Sequence, residues 1–435
     1  MKIAMVSEHA SPLACLGGVD AGGQNVHVAA LSAALADRGH SVTVYTRADH
    51  PALPRSTPLT AGVIVEHVPA GPAAEVPKDE LLPFMQPFAA VLAERWRQDP
   101  PDVVHAHFWM SGVACLQAAA VTDVPVVQTF HALGTVKRRW QKSADGSPPE
   151  RLTLERGIVR SVDSIIATCA DEVAELRAMG APDERIDVVP CGVDTQRFRP
   201  GPAPRNKRPR LLVIGRLVPR KGVEDAIRAL ADIVGADLVI VGGPAADELM
   251  LDPEARRLAD LVREMNIADR VTFLGRAAHA ALPEIIRSSD LVLAVPWYEP
   301  FGIVPLEAMA CGVPVVGTAV GGLLDTVVEG ETGLLVPPGR PDVLAAAVNS
   351  LLDSGTRRVA MGLAGRTRAE RLYSWESVAQ RTEESYHRTL ASRTEPRKPP
   401  NLPPRTMPDG TTPAKRIGLA DRTGMSDRTE TAGAR

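Results

Sequence analysis

Short apolar runs rich in valine and isoleucine alternate with longer alanine- and leucine-rich stretches along most of the chain. In the first half the runs fall at residues 2–6, 41–45, 62–68, 102–105, 124–128, 164–168 and 186–189. Between the first two, residues 22–40 place Val26, Ala30, Ala33 and Ala34 at helical spacing, with Gly39 suited to end the helix. Strands that are apolar throughout, rather than alternating, are those of parallel sheets buried on both faces, and their alternation with helices predicts βα units. A stretch of turn and charged residues, GVDTQRFRPGPAPRNKRPR (192–210), reads as a linker. The pattern then restarts, with runs at 211–214, 237–241, 270–274, 291–295, 313–316 and 333–336. The expectation is an α/β protein of two doubly wound, Rossmann-like domains, residues 1–192 and 193–375, facing each other across a cleft. Residues 376–392 follow as a closing helix.

From residue 393 the character changes. Residues 393–435 hold seven prolines, no aromatic residue, and nine Lys/Arg against five Asp/Glu. Such a segment buries too little apolar surface to offset its ordering entropy, so a disordered tail is expected, either inert or a weak tether to an acidic partner.

Composition narrows the class. A chain of 435 residues exceeds one ordinary core. A net charge of −3 gives no general attraction to nucleic acid or acidic membranes. The five cysteines (Cys15, Cys115, Cys169, Cys191 and Cys311) are odd in number and lack Cys-x-x-Cys spacing, which points to reduced thiols rather than a disulfide framework. The N-terminus reaches Ser7 and Glu8 soon after its first apolar positions, as a strand does and a signal peptide does not. No run approaches the ~18–20 apolar residues of a membrane span. A soluble, cytoplasmic protein is expected.

In doubly wound sheets, ligands bind beyond the carboxyl ends of the strands. After the first strand, GGVDAGGQN (17–25) sets Gly22 and Gly23 at a helix N-terminus, which is either an anion site or a plain tight turn. It is not G-x-G-x-x-G, and YTRADH (45–50) offers no ribose-binding acid in the dinucleotide manner. The loop GRLVPRKG (215–222) carries Arg216 and Lys221, either solvated or able to clamp a diphosphate. His131 closes a strand in VVQTFHALG, as a ligand or as a structural histidine. His105 and His107 point the same way but have no third ligand nearby, so no metal site is expected. The chain lacks Asp-x-Asp, the usual pair for a nucleotide-bound divalent ion, and lacks G-x-S-x-G. In WYEPFGIVPLEAMACG (297–312) two glutamates, Glu299 and Glu307, lie eight positions apart around an apolar stretch, and either face solvent or enter a cleft.

Taken together, GGVDAGGQN, GRLVPRKG, WYEPFGIVPLEAMACGVPVVGTAVGG and EGETGLLVPPG resemble the GT-B-fold retaining glycosyltransferases of family 4 over roughly residues 1–390. That group includes the sucrose-phosphate synthases and the mycothiol-pathway inositol-phosphate N-acetylglucosaminyltransferases. The resemblance implies a metal-independent, retaining hexosyltransferase without a cofactor, using a UDP- or GDP-sugar donor and a small polyol, sugar or lipid-linked acceptor. It assigns catalytic roles to His131, Glu299, Arg216 and Lys221. Donor binding falls to Gly22, Gly23, Arg216, Lys221, Glu299, Phe301, Gly302 and Glu307, with Glu299 on the sugar hydroxyls and Glu307 on the ribose. Acceptor binding falls to Asn25, Lys78, Phe108, Ala132 and Arg151. Phe108 stands where the inositol-phosphate enzymes carry tyrosine and Ala132 where they carry threonine, so two hydroxyls are missing and an inositol-phosphate acceptor is the alternative reading. A GT-B-fold epimerase and a non-catalytic nucleotide-sugar-binding module are the others. The loop VKRRWQKSADG (136–146) packs four cations around Trp140, with Lys137, Arg138 and Arg139 able to meet an anionic acceptor or a membrane surface, or simply solvent.

Overall fold

The structure is a computed structural model and describes residues 1–14, 23–142, 145–202 and 206–393. Gly22 and the expected tail from 394 onward lie outside the described residues.

The first half is an eight-stranded sheet of β1 (Lys2–Val6), β2 (Ser41–Arg47), β3 (Ser56–Thr60), β4 (Val63–Val68), β5 (Val103–His107), β6 (Val126–Thr129), β7 (Ser164–Ala167) and β8 (Ile186–Val188). Its order is β3-β4-β2-β1-β5-β6-β7-β8, parallel except for β3. The second half is a six-stranded parallel sheet of β9 (Arg210–Ile214), β10 (Asp237–Val241), β11 (Val271–Gly275), β12 (Leu291–Ala294), β13 (Val315–Thr318) and β14 (Gly333–Val336), ordered β11-β10-β9-β12-β13-β14. Each order reverses beside its first strand, β1 or β9, which is the switch point where doubly wound sheets bind ligands.

Several expectations are corrected. β3 was not among the expected strands, because STPLT is polar and holds Pro58. It is an edge strand, alternately exposed and half-buried, and proline is tolerated where one side of the ladder is open. β5, β6 and β13 end two, one and two residues beyond the expected runs, bringing His107 into β5. The helix Gly23–Asp37 buries Asn25, His27, Val28, Leu31, Ser32 and Leu35, whereas Val26, Ala30, Ala33 and Ala34 are only half-buried. The alanine spacing marked the wrong stripe.

Residues 193–198, at the start of the expected linker, are packed rather than free, and residues 203–205 lie outside the described residues. Val193 and Phe198 are buried in the second half's core, Val193 N donates to Tyr373 O at 2.7 Å, and Arg366 Nη1 donates to the carbonyls of Thr195 and Phe198. The last helix, Trp375–Ser392, packs on the first sheet. Its Val378, Ala379 and Tyr386 join a core with Met5, Leu31, Val127 and Ile166. Ser164 and Thr389 pair their hydroxyls at 2.7 Å. The chain thus leaves the first half once and returns to it, so both halves are tied at one edge.

Candidate functional site

The loops after the strands carry the unusual backbone. Phe108 follows β5 with φ 78° and His131 follows β6 with φ 61°, conformations that side chains other than glycine's rarely adopt. Strain of this kind is held by surrounding structure and gathers at functional sites. His131 is 4% exposed and touches the second half through Phe301, ring to ring at 5.4 Å. Its Nε2 lies 2.9 Å from His107 Nδ1. His27 packs against both rings, and His105 binds the Tyr386 hydroxyl at 2.7 Å and Thr129 Oγ1 at 2.9 Å. Burial drives all four imidazoles toward the neutral form, His27 to about 4, His105 to about 3, and His107 and His131 well below the ordinary value of 6.5.

On the second half, β9 runs into Arg216, which is exposed and makes no ion pair among the described residues. A single 3-10 turn, Pro219–Lys221, then brings Lys221 back over the sheet. Gly222 ends that turn at φ 66°, and a Cβ there would sit 1.9 Å from Val295 O, so no larger residue fits. Lys221 forms an ion pair with Glu299. Burial alone raises the Glu299 carboxyl, but the Lys221 ammonium and the Arg220 guanidinium outweigh it and hold the group below its ordinary range. Glu299 O accepts from Gly322 N at 2.8 Å, and Gly321 at φ 48° lies so close that a Cβ would meet Glu299 O at 2.3 Å.

Gly302, at φ 72°, opens the helix Ile303–Ala310 that carries Glu307. Glu307 is 5% exposed; burial raises its carboxyl, opposed by His279, whose Nε2 lies 3.3 Å away. The other His279 nitrogen faces Arg197 Nη1 at 2.8 Å. Of the two motif glutamates, Glu307 is buried and Glu299 half-buried, each with its own cationic or polar partner. Gly23 approaches the same helix, since a Cβ on it would reach Ile303 Cδ1 at 3.0 Å.

Of the acceptor-side residues, Lys78 and Arg151 converge on Phe108. Lys78 Nζ lies 5.7 Å and Arg151 Cζ 5.1 Å from its ring centroid. Arg151 also donates to Ala132 O. Arg151 is 2% exposed and already engaged, with Nε on Glu155 at 2.8 Å and Nη1 on Ser147 at 3.1 Å. Asn25 stands apart, donating to Ser11 O at 2.9 Å.

The loop 136–146 is also corrected. Gly134–Gln141 is a helix, and its cations are paired: Lys137 to Asp145 at 3.1 Å, Arg138 to Asp145 at 3.9 Å and Arg139 to Glu175 at 2.6 Å. Trp140 stacks on Tyr298 of the other half, centroids 6.5 Å apart. Residues 143–144 lie outside the described residues.

Sequence reasoning missed Arg220, His279, Glu155 and the group Glu8–His9–Ser111. Glu8 follows β1 and is 1% exposed; it accepts from Ser111 Oγ and bonds His9 Nδ1 at 2.7 Å, while the His9 ring meets Phe108 at 4.9 Å. The only signal in the sequence is position, immediately after the first strand. Among the described residues no three His, Cys, Asp or Glu side chains converge as a metal site. No described helix is long and apolar enough to cross a membrane.

A family model described as Glycosyltransferase Family 4 matches residues 21–197, and one described as Glycosyl transferases group 1 matches residues 194–368. The chain is 37% identical over 414 residues to the D-inositol 3-phosphate glycosyltransferase of Acidothermus cellulolyticus, covering 90% of this chain and 91% of that one. It is 38% identical over 406 residues to the enzyme of that name from Rhodococcus jostii, covering 88% of each. The sucrose-phosphate synthase of Thermosynechococcus elongatus superposes with a TM-score of 0.81 at 32% identity, over 90% of this chain and 100% of that one. HepE of Anabaena, solved in complex with UDP, shares the fold at a TM-score of 0.72 and 22% identity, over 90% of this chain and 100% of that one. Fold and matches together define a glycosyltransferase that transfers a sugar from a nucleotide sugar. The chain belongs to the GT-B-fold glycosyltransferases of family 4.

Proposed function

We propose that the enzyme moves a hexosyl group, with retention and without a metal, from a UDP- or GDP-sugar to a hydroxyl of a small polyol or sugar. The observation that carries this is the Lys221–Glu299 pair flanked by Arg220 and Arg216, with the His131–Phe301 contact reaching in from the other half. Cleaving the anomeric bond builds positive character on the sugar and negative charge on the departing diphosphate. Arg216 and Lys221, with the Gly23 backbone, stabilise the diphosphate; one such preorganised donor is typically worth ~3–4 kcal/mol. Glu299 receives the sugar hydroxyls, Glu307 the ribose, and His131 contacts the sugar beside the reacting carbon. Retention through a glycosyl-enzyme needs a carboxylate at the reacting carbon. Glu299 is instead bound to Lys221, which favours same-face attack by the acceptor, guided by the leaving phosphate.

The test is a transfer assay with UDP-glucose, UDP-N-acetylglucosamine and GDP-mannose against unphosphorylated polyols and sugars, reading the product's anomeric configuration. Initial rates in EDTA should match those in magnesium, because the cations named above supply the charge and Asp-x-Asp is missing. Activity abolished by EDTA and restored by magnesium or manganese would overturn metal independence, and an inverted product would overturn retention.

The second reading, an inositol-phosphate acceptor, is favoured by Lys78 and Arg151 meeting at Phe108 and by the names of the curated relatives. Against it, Phe108 and Ala132 bring no hydroxyl, and Arg151 is held by Glu155, Ser147 and Ala132 O. Phe108→Tyr with Ala132→Thr should raise turnover of inositol phosphate severalfold and leave the natural acceptor without gain. Efficient turnover of inositol phosphate by the unaltered enzyme would establish the second reading instead.

A further inference from the structure

The contact between His107 and His131 contains a choice of proton. A neutral imidazole carries one N–H, so across the 2.9 Å between His107 Nδ1 and His131 Nε2 one ring donates and the other accepts. The two outer nitrogens, His107 Nε2 and His131 Nδ1, are both buried and have no hydrogen-bond partner among the described residues. If His131 donates, its Nδ1 is bare and His107 keeps an N–H on Nε2. If His107 donates, its Nε2 is bare and His131 keeps an N–H on Nδ1. Either way one N–H is left without a partner inside the protein, and a stranded buried donor is costly.

The two places for that donor are not equivalent. The His107 side chain is fully buried, with the His105 ring 4.1 Å and the His27 ring 5.6 Å from it, so nothing bound in the cleft reaches it. His131 sits at the carboxyl end of β6, held at φ 61° against Phe301 of the opposite half. Both nitrogens are buried in the free protein, but only His131 adjoins the opposite half, so only a donor left on His131 is placed where bound substrate can approach it.

We propose that His107 is a positioning residue: by donating from Nδ1 to His131 Nε2, it fixes His131 as the Nδ1–H tautomer and so presents a hydrogen-bond donor to an oxygen of the bound sugar. The assignment deepens the proposed role of His131 and rests on it. A free imidazole prefers its proton on Nε2, so the pair reverses that preference. Burial keeps both rings neutral, so His131 acts as a hydrogen-bond donor that does not titrate near neutral pH.

The direct test is nitrogen NMR on the unaltered full chain labelled in its imidazoles, at pH 7.5, with His131→Gln used to assign the signal. His131 protonated on Nδ1 is the expected result; protonation on Nε2 overturns the proposal with no variant needing to fold. Two variants then separate positioning from packing. His107→Phe keeps the ring volume and removes the donor, and should lower kcat about tenfold on whichever of UDP-glucose, UDP-N-acetylglucosamine and GDP-mannose is turned over. Its Kd for UDP or GDP should change less than twofold. His107→Asn sets an amide N–H near the place of Nδ1–H and should recover most of the lost kcat. Equal loss in both variants, or an unchanged kcat in His107→Phe, counts against positioning. An unaltered kcat in His131→Gln together with Nδ1 protonation in the unaltered protein would retain the tautomer and discard the role of His131 in transfer.

Discussion

Lys221→Ala is expected to lower kcat/KM by roughly a hundred- to a thousandfold, the usual loss when one preorganised donor to a developing anion is removed. Two effects combine. The proposed diphosphate site loses a cation, and Glu299, which meets that cation in the free protein, loses its principal partner. Burial then dominates the Glu299 carboxyl, so it holds a proton at higher pH and the acid limb of the rate profile moves upward. Glu299→Gln separates the two. It removes the charged acceptor of sugar hydroxyl bonds, each worth about 1.5–3 kcal/mol, so turnover falls roughly ten- to a hundredfold. The same change releases Lys221, so UDP or GDP binds as tightly as before or more tightly. Steady-state rates and nucleotide calorimetry on both variants decide the matter. A Lys221→Ala enzyme within threefold of the parent, or a Glu299→Gln enzyme with lost nucleotide affinity, would refute this division of roles.

Acid should unfold the protein well before most carboxylates titrate. His27, His105, His107 and His131 are held neutral by burial, at about 4, about 3 and well below 6.5 for the last two. Once unfolded, each binds a proton as pH falls past its ordinary 6.5. The unfolded chain therefore takes up more protons than the folded one in this window, and stability declines as pH falls. The contribution is complete above about 6.5 and is lost progressively toward the folded-state values. One pH unit corresponds to about 1.4 kcal/mol per group, so by pH 5 His27 and His105 each remove on the order of 2 kcal/mol. His107 and His131 shift in the same direction, so the cluster removes a substantial part of the roughly 5–15 kcal/mol that holds a domain together. Carboxyls raised by burial, Glu155, Glu172 and Glu307, oppose the trend, which makes a variant comparison necessary. Urea unfolding between pH 7.5 and 5 should show a steep slope. His27→Phe, which replaces a ring beside Cys191 and Trp375, should flatten it by about one proton. A slope unchanged by that substitution would show that the cluster does not govern acid stability.

The strands were readable because parallel strands buried on both faces are apolar throughout, and β1, β10 and β14 begin and end where the apolar runs do. β3 escaped because an edge strand needs neither continuous apolarity nor a full set of donors. The helix Gly23–Asp37 shows a different limit. Its alanines recur at helical spacing, yet it is covered by both the sheet and the last helix, so the buried set includes Asn25, His27 and Ser32. Spacing locates a helix; neighbours choose its face.

The site divides in the same way. Arg216, Lys221, Glu299 and Glu307 stand out in the chain because glycines and prolines force the turns that carry them, and turn chemistry is local. Which groups they meet is not local. Lys221 and Glu299 are 78 positions apart, and His107 and His131 are 24 apart, at the carboxyl ends of neighbouring strands. Arg138 and Arg139, open in the sequence to an anionic acceptor, a membrane surface or solvent, pair with Asp145 and Glu175 while staying about half exposed. Arg151, assigned to the acceptor by the resemblance, is engaged by Glu155, Ser147 and the Ala132 carbonyl. A residue's type and its turn are written in a few neighbouring positions. Its partner, its burial and hence its charge state depend on which distant segments the packed sheets bring within 3 Å, and those only the folded chain decides.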